Sequence, residues 1–502
     1  VTKQVTVLEM LRKGRFERAM DPLASEYISS MDADDRIFYS VVQVNLAHII
    51  MLAERRIITE QDAAAILRAL YELHERGVEG LDLRPELEDI HMAVEEFVIK
   101  ATSEEVGGKL NTAKSRNDQV ATAIRLTLRK GLFDVEERLL ELVGALVALA
   151  EKNTDVIMPG YTHLQVAQPT TFAHWLTAHA SAIIRDVERI DRAYDAANSC
   201  VMGACALAGT SFPIDRMRVA HMLGFKRIDE NTMDAISSRD FALQAMSSLA
   251  IAMVNLSRLA EELMLWGSAE FDMIELPEEF AATSSIMPQK KNPVVAELAR
   301  AKAGRVFGNL SGALAVMKAL PQSYNLDFQD LTPLLWNSVD ETRDSAGVMA
   351  KLIGAIEPNR ETMRKRAEGG FAAATELADT LVRKVGLAFR DAHAIVGKMV
   401  ARATNEGRGP GELNIEDLQA ASKEVLNKEV HLKPEELKEA LDLDKCIAVR
   451  DLPGGPAPKA VQGQLKTLKQ NVKNHAKLMR ARRRAITNAE VKLLKEARRR
   501  SR

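Results

Sequence analysis

Residues 115–151 read SRNDQVATAIRLTLRKGLFDVEERLLELVGALVALAE, and the fold class follows from them. Val120, Ile124, Leu128, Leu132, Val135, Leu139, Leu142, Leu146 and Leu149 recur at intervals of four and three, which draws one apolar stripe down one helix. From Leu132 onward the intervals alternate strictly, as in the seam of a helix bundle or coiled coil. About 30 residues at a rise of ~1.5 Å make a rod of roughly 45 Å, which needs other long helices beside it. Ser115 with Asp118 three residues on resembles a capping box at its start, and Pro159-Gly160 follows its end.

Outward from this rod the same periodicity continues. Pro169 predicts a helix through Trp175 to about Asn198, and further helices are expected at 238–266, 293–319 and 330–355. The 293–319 helix would open with Asn292 as N-cap and Pro293 in its first turn. No alternating run is long enough for a major sheet, so the class is all-α. Turn-rich breaks at Glu357-Pro358-Asn359, Glu368-Gly369-Gly370 and 406–411 suggest four segments. These are an N-terminal helical domain (1–113), a central long-helix bundle domain (114–364), a C-terminal helical domain (365–463) and a basic helical tail (464–502).

With 502 residues, 46% hydrophobic and 27% charged, the chain has ordinary globular composition, which excludes a disulfide-stapled mini-protein and wholesale disorder. The three cysteines have no zinc-ligand or disulfide spacing. The opening residues lack a signal-like apolar stretch, and the long uncharged run 156–184 is broken by prolines, so no membrane partner and a cytoplasmic location are expected. Residues 464–502 carry fourteen Lys and Arg against two Glu in a chain of net charge −2, so the remainder is acidic. Leu465, Leu468, Val472, His475 and Met479 predict that the tail's first half docks as a helix. Its distal half is expected to be exposed, mobile and dispensable for catalysis, and the absence of aromatics argues against nucleic-acid binding.

Four loop segments collect polar residues: Glu88-Asp-Ile-His91, Ser115-Arg-Asn-Asp-Gln119, Gly160-Tyr-Thr-His-Leu-Gln165 and Thr283-Ser-Ser-Ile-Met-Pro-Gln-Lys-Lys-Asn-Pro293. In the last, hydroxyls, ammonium groups and a carboxamide directly precede a helix N-terminus, where free N–H groups and the helix dipole favour an anion such as a dicarboxylate. Each feature also has a plain structural reading. Ser115 and Asp118 cap a helix, Asn292-Pro293 starts one, a lone histidine is often a core residue, and two lysines are often just solvated.

Taken together, these segments resemble the fumarase/aspartase superfamily, whose Ser-Ser-x-Met-Pro-x-Lys-x-Asn-Pro loop is matched from Ser284 to Pro293. The Gln-Lys-Lys-Asn-Pro form, Ser115 to Val120 and Glu88 to His91 are similar to the argininosuccinate lyases within it. Residues 11–16, 208–216 and 324–329 add to the likeness. The resemblance implies a three-domain lyase whose long-helix bundle is shared across a homotetramer, each site drawing on three chains. It also implies a β-elimination that yields fumarate, with no cofactor and no metal. Ser284 would be the general base, supported by Lys290, with His163 handling a proton and Glu297 orienting it. Ser30, Asp34, Asp89, Ser115, Arg116, Asn117, Thr162, Gln165, Asn292, Tyr324 and Gln329 would bind the small-molecule substrate. Thr332 stands where a lysine is common in the family. Alternatives are another fumarate-releasing lyase, such as one acting on adenylosuccinate, and a non-catalytic structural protein retaining the fold.

Overall fold

The computed structural model describes residues 20–502; the motif at 11–16 lies outside them. The N-terminal region holds α1 (Phe38–Glu54), α2 (Glu60–Arg76) and α3 (Ile90–Ala101). The helical stretch Pro22–Glu54 is long and apolar enough to span a membrane, yet 89% of its most apolar window is buried inside the protein. It is covered by this chain's own helices. The central rod is α4 (Arg116–Glu151). Ser115 caps it, its Oγ accepting from Asn117 N at 3.2 Å while Asp118 Oδ1 accepts from Ser115 N at 3.0 Å. Asp118 does more than cap. Its other oxygen accepts from Gly203 N and Cys205 N, both at 2.9 Å, and so fastens the 203–205 loop to the rod.

The rod packs with α5 (Phe172–Ala197), α6 (Asp240–Trp266), α7 (Val294–Met317) and α8 (Phe328–Ala355) in one bundle. Leu128, Leu132, Val135, Leu139, Leu142 and Leu146 are wholly buried, so the stripe of α4 is satisfied within its own chain. Among the bundle helices, the large apolar groups left exposed sit on α6 and α7 instead. Ala299, Ala303, Val306 and Ala313 make the inner face of α7, while Phe307 and Leu314, a heptad apart, expose half or more of their surface.

Two expectations about helix starts need correction. Pro169 does not open a helix: it lies in β2 (Gln165–Thr171), which pairs antiparallel with β1 (Ile157–Thr162), and α5 begins at Phe172 with Thr171 as its cap. Asn292 does not cap α7. It pairs in a short ribbon of β3 (Ala282–Thr283) and β4 (Lys291–Asn292), Pro293 takes the cap position, and among the described residues no side chain caps that helix end.

Beyond α9 (Arg360–Gly369) a smaller second core forms around α10 (Ala374–Val385), α11 (Phe389–Asn405) and α12 (Ile415–Leu426). The chain then returns to the bundle in α13 (Pro458–Arg500), a single helix running unbroken through residue 464. The distal half of the tail is docked, which corrects the expectation of exposure. Met479, Ile486, Leu493 and Ala497 are buried in the main core, and Arg482, Arg483 and Arg500 pair with acidic groups of the body.

Candidate active site

The start of α4, the loop before α3 and the start of α8 converge on a partly enclosed pocket with a few convergent polar groups. Ser30, Asp34, Asp89, Arg116, Asn117, Tyr324 and Gln329 all line it, as does Thr332. Backbone pairing of Ser30 N with Glu88 O at 2.9 Å joins two of these segments. Asp34 Oδ2 accepts from Ser30 Oγ at 2.7 Å and from Ile90 N at 3.3 Å. Burial pushes the Asp34 carboxyl up to about 6 despite those donors, with Asp89 adding to the rise.

Asp89 caps α3 through Oδ1, which accepts from Met92 N at 2.9 Å. Its Oδ2 and Glu88 Oε2 accept from Arg116 Nη1 at 3.1 and 3.0 Å. Burial works against the Arg116 cation, but Asp89 and Glu88 outweigh it and hold the guanidinium above its ordinary range. Burial likewise raises the Tyr324 hydroxyl, whose ring meets Phe328 edge-on at 5.6 Å. The pocket therefore pairs carboxylates with a fixed cation and amide donors, a surface that reads a zwitterion. Ser115, in contrast, spends its hydroxyl on the α4 cap and does not line the cavity.

Two lining residues escaped sequence reasoning as site members. His91 is buried, neither ring nitrogen has a partner among the described residues, and burial lowers it to about 4, so it stays neutral. Arg239 lies over the Phe328 ring at 4.4 Å and donates to the carbonyls of Ile236 and Ser238 at 3.0 Å, while its Nε has no partner among the described residues. It brings a second cation to the wall that Thr332 leaves uncharged, and its Ser-Ser-Arg-Asp context carries no motif that would flag it.

The other sequence-derived residues lie elsewhere. Thr162, His163 and Gln165 form the exposed tip of the β1–β2 hairpin, with His163 and Leu164 both left-handed at φ 57° and 58°. That two-residue turn is strained for side chains other than glycine. It is held from below: Tyr161 stacks on Trp266 at 5.1 Å, and a Cβ at Gly160 would lie 2.7 Å from Gln168 O, so only glycine fits. The Ser284 loop is also exposed. Ser284 Oγ accepts from Met287 N at 3.0 Å and from Ile286 N at 3.3 Å, and Lys290 N closes the turn on Met287 O at 3.2 Å. Asn292 and Glu297 flank the uncapped start of α7. One chain brings neither His163 nor Ser284 to the cavity, nor the two to each other by a hydrogen bond.

The chain is similar to known proteins over nearly its whole length. The lyase family model matches residues 14–308, and that of the argininosuccinate lyase C-terminal region matches residues 371–448. Argininosuccinate lyase of Methanothermobacter thermautotrophicus is 44% identical over 467 residues, covering 93% of this chain and 100% of that protein. That of Methanosarcina acetivorans is 46% identical over 456 residues, covering 90% and 91%. Among solved structures, EDDS lyase in complex with formate superposes with a TM-score of 0.88 at 29% identity, covering 98% of both chains. Class II fumarase from Schistosoma mansoni shares the fold alone, at a TM-score of 0.71 and 19% identity over 86% of this chain and 96% of that one. By sequence over nearly its whole length, by its C-terminal region and by its helical architecture, the chain belongs to the argininosuccinate lyase family of the fumarase/aspartase superfamily.

Proposed function

We propose that the chain cleaves argininosuccinate to arginine and fumarate by β-elimination, in a site assembled from three chains of a homotetramer. The carrying observation is the single-chain pocket itself: it holds the groups for a zwitterionic amino-acid end, while the acid–base groups sit outside it on two separate surface loops. A tetramer brings the three sets together, and the apolar groups exposed on α6 and α7, including Ile251, Val254, Phe307 and Leu314, offer its contact surface. Three free cysteines suit a reducing, cytoplasmic setting.

In the reaction a base removes the proton from the succinyl β-carbon, the pair left on carbon forms the double bond, and the carbon–nitrogen pair departs on the guanidino nitrogen, which is protonated. Ser284 is the base in this reading. A hydroxyl is too weak unless its alkoxide is stabilised, and the Ile286 and Met287 N–H groups already point at Oγ, with Lys290 on the same loop. Lys290, Asn292 and the uncapped α7 terminus supply positive potential for the carboxylate that gains charge as the proton leaves. His163, oriented by Glu297, handles a proton from the opposite chain. Asp89, Tyr324 and Asp34 hold the arginine end.

The direct test is incubation of the purified chain with argininosuccinate while arginine and fumarate are followed. Equimolar release without added cofactor is expected, and adenylosuccinate should not react. Fumarate from adenylosuccinate with silence on argininosuccinate would move the chain to another branch. Silence on both would favour a protein that keeps the fold without the activity.

A pH dependence follows from Asp34. Its carboxyl is raised to about 6, so it is charged above that pH and neutral below. If the charged form holds the cationic arginine end, KM for argininosuccinate should rise by about tenfold per pH unit on going below 6, and flatten above it. Asp34→Asn should remove that limb and raise KM throughout. An unchanged limb in the variant would free Asp34 of the role.

A further inference from the structure

Where α13 crosses α4 and α5 it closes over a cluster that neither the pocket nor the loops use. Glu136 comes from α4, Asp191 from α5 and His475 from α13, and one ligand atom of each lies within 4.8 Å of the other two. His475 Nδ1 is 2.8 Å from Asp191 Oδ2, while Asp191 Oδ1 accepts from Arg482 at 2.6 Å. Glu136 is 1% exposed, and its Oε1 has no hydrogen-bond partner among the described residues. Neighbouring cations are committed elsewhere. Arg482 also pairs with Asp195 and lies over the Tyr194 ring at 4.6 Å, and Arg483 pairs with Asp134 and Glu137. Two carboxylates thus face one another in a largely buried seam, with no donor among the described residues for one oxygen of Glu136.

We propose that Glu136, Asp191 and His475 bind one divalent metal ion of the zinc class, a structural site that fastens the C-terminal helix to the bundle. One imidazole and two carboxylates are the donor set that zinc accepts, with water completing the tetrahedron. Ligand atoms around such an ion stand roughly 3.4 Å apart at bond lengths near 2.1 Å, so the present spacing closes by small side-chain movements. Arg482, held on the far oxygen of Asp191, is the outer partner that orients that ligand. The three ligands come from three helices distant in sequence, so the ion cross-links the fold. Glu136 lies nineteen residues beyond Asn117 on α4, or about 30 Å along the helix, which separates this site from the substrate pocket. The inference stands independently of the proposed reaction.

The test uses the full-length chain, stripped by a chelator and then titrated with Co²⁺ and Zn²⁺. One equivalent of Co²⁺ per chain should produce the visible absorption of a low-coordinate ion, and Zn²⁺ should displace it. Zinc should raise Tm and slow amide exchange around residues 470–490, with turnover of argininosuccinate unchanged. His475→Gln and Glu136→Gln should each weaken Co²⁺ binding at least about tenfold, whereas His221→Gln, at an exposed histidine outside the cluster, should not. Equal Co²⁺ affinity in His475→Gln and the parent, or an absence of low-coordinate absorption in the parent, would overturn the site. His475 is partly exposed on the helix surface, so its variant decides the question even if Glu136→Gln does not fold.

Discussion

Ser284→Ala is expected to lower argininosuccinate turnover by about 100-fold to 10,000-fold while leaving KM and Tm near the parent values. That range is the usual worth of a positioned acid or base. Stability should be spared because Ser284 is only partly buried and its hydroxyl only receives two backbone N–H groups of its own turn, which water can replace. Ser285→Ala should cost much less. If instead Ser285 proves to be the residue whose loss abolishes turnover, the register of the loop is off by one. The same variant tests the shared site. His163→Asn and Ser284→Ala are each expected to be nearly inactive alone. If the two residues of one site come from different chains, equal mixing and reassembly should restore activity in about a quarter of sites, those that receive both intact loops by chance. Were His163 and Ser284 of one site supplied by the same chain, no mixture could regenerate an intact pair. Zero recovery in demonstrated mixed tetramers would therefore refute the arrangement.

The parts of this molecule that were legible in its sequence are those whose pattern has a single physical cause. The 120–149 stripe could only be a helix face, and the Ser115–Asp118 spacing could only close as a cap at its start. What the stripe packs against was not legible. A three-four seam serves contacts within a chain as well as between chains, and here α1, α5, α8 and α13 of the same chain fill it, leaving the outward apolar surface to α6 and α7. The β1–β2 hairpin was missed because Pro159, Gly160 and Pro169 read as breaks, while in the structure they sit inside paired strands around a bulge. The pocket was largely legible because its residues fall in motifs. Ser30 and Asp34, which have no motif of their own, nevertheless line the cavity. Arg239 and His91 required coordinates, since a buried arginine and a neutral imidazole acquire meaning only from the wall they share.

Truncation after Ala481 is expected to unfold the protein or leave it aggregating, and not merely to remove an accessory tail. The basic composition of the distal tail predicts exposure only when each arginine is weighed by itself. Along α13, Met479, Ile486 and Leu493 repeat every seven residues and lie in the core, while the arginines between them reach acidic groups that the body presents. The acidic body and the basic tail are the two halves of one interface. Loss of buried Ile486 and Leu493 costs about 1.5 to 3 kcal/mol each by area alone, before counting the apolar surfaces of α1, α4 and α5 that they cover. Removing Arg482 also leaves Asp191 facing Glu136 with only His475 beside it, and a buried carboxylate stripped of its cation is costly. The exposed pairs of Arg483 and Arg500 add little. The two side chains together amount to about 3 to 6 kcal/mol, which with the stranded carboxylate is comparable with the whole stability of an ordinary domain. Melting curves at fixed protomer concentration should show it as a Tm lowered by many degrees or as no cooperative transition at all. Where folded truncated protein survives at low temperature, its KM should match the parent, because every residue assigned to the reaction lies between Ser30 and Gln329. A truncated chain that melts within a few degrees of the parent would mean that α13 is only laid on the bundle. A stable truncated tetramer with a greatly altered KM would mean that the helix reaches an active site.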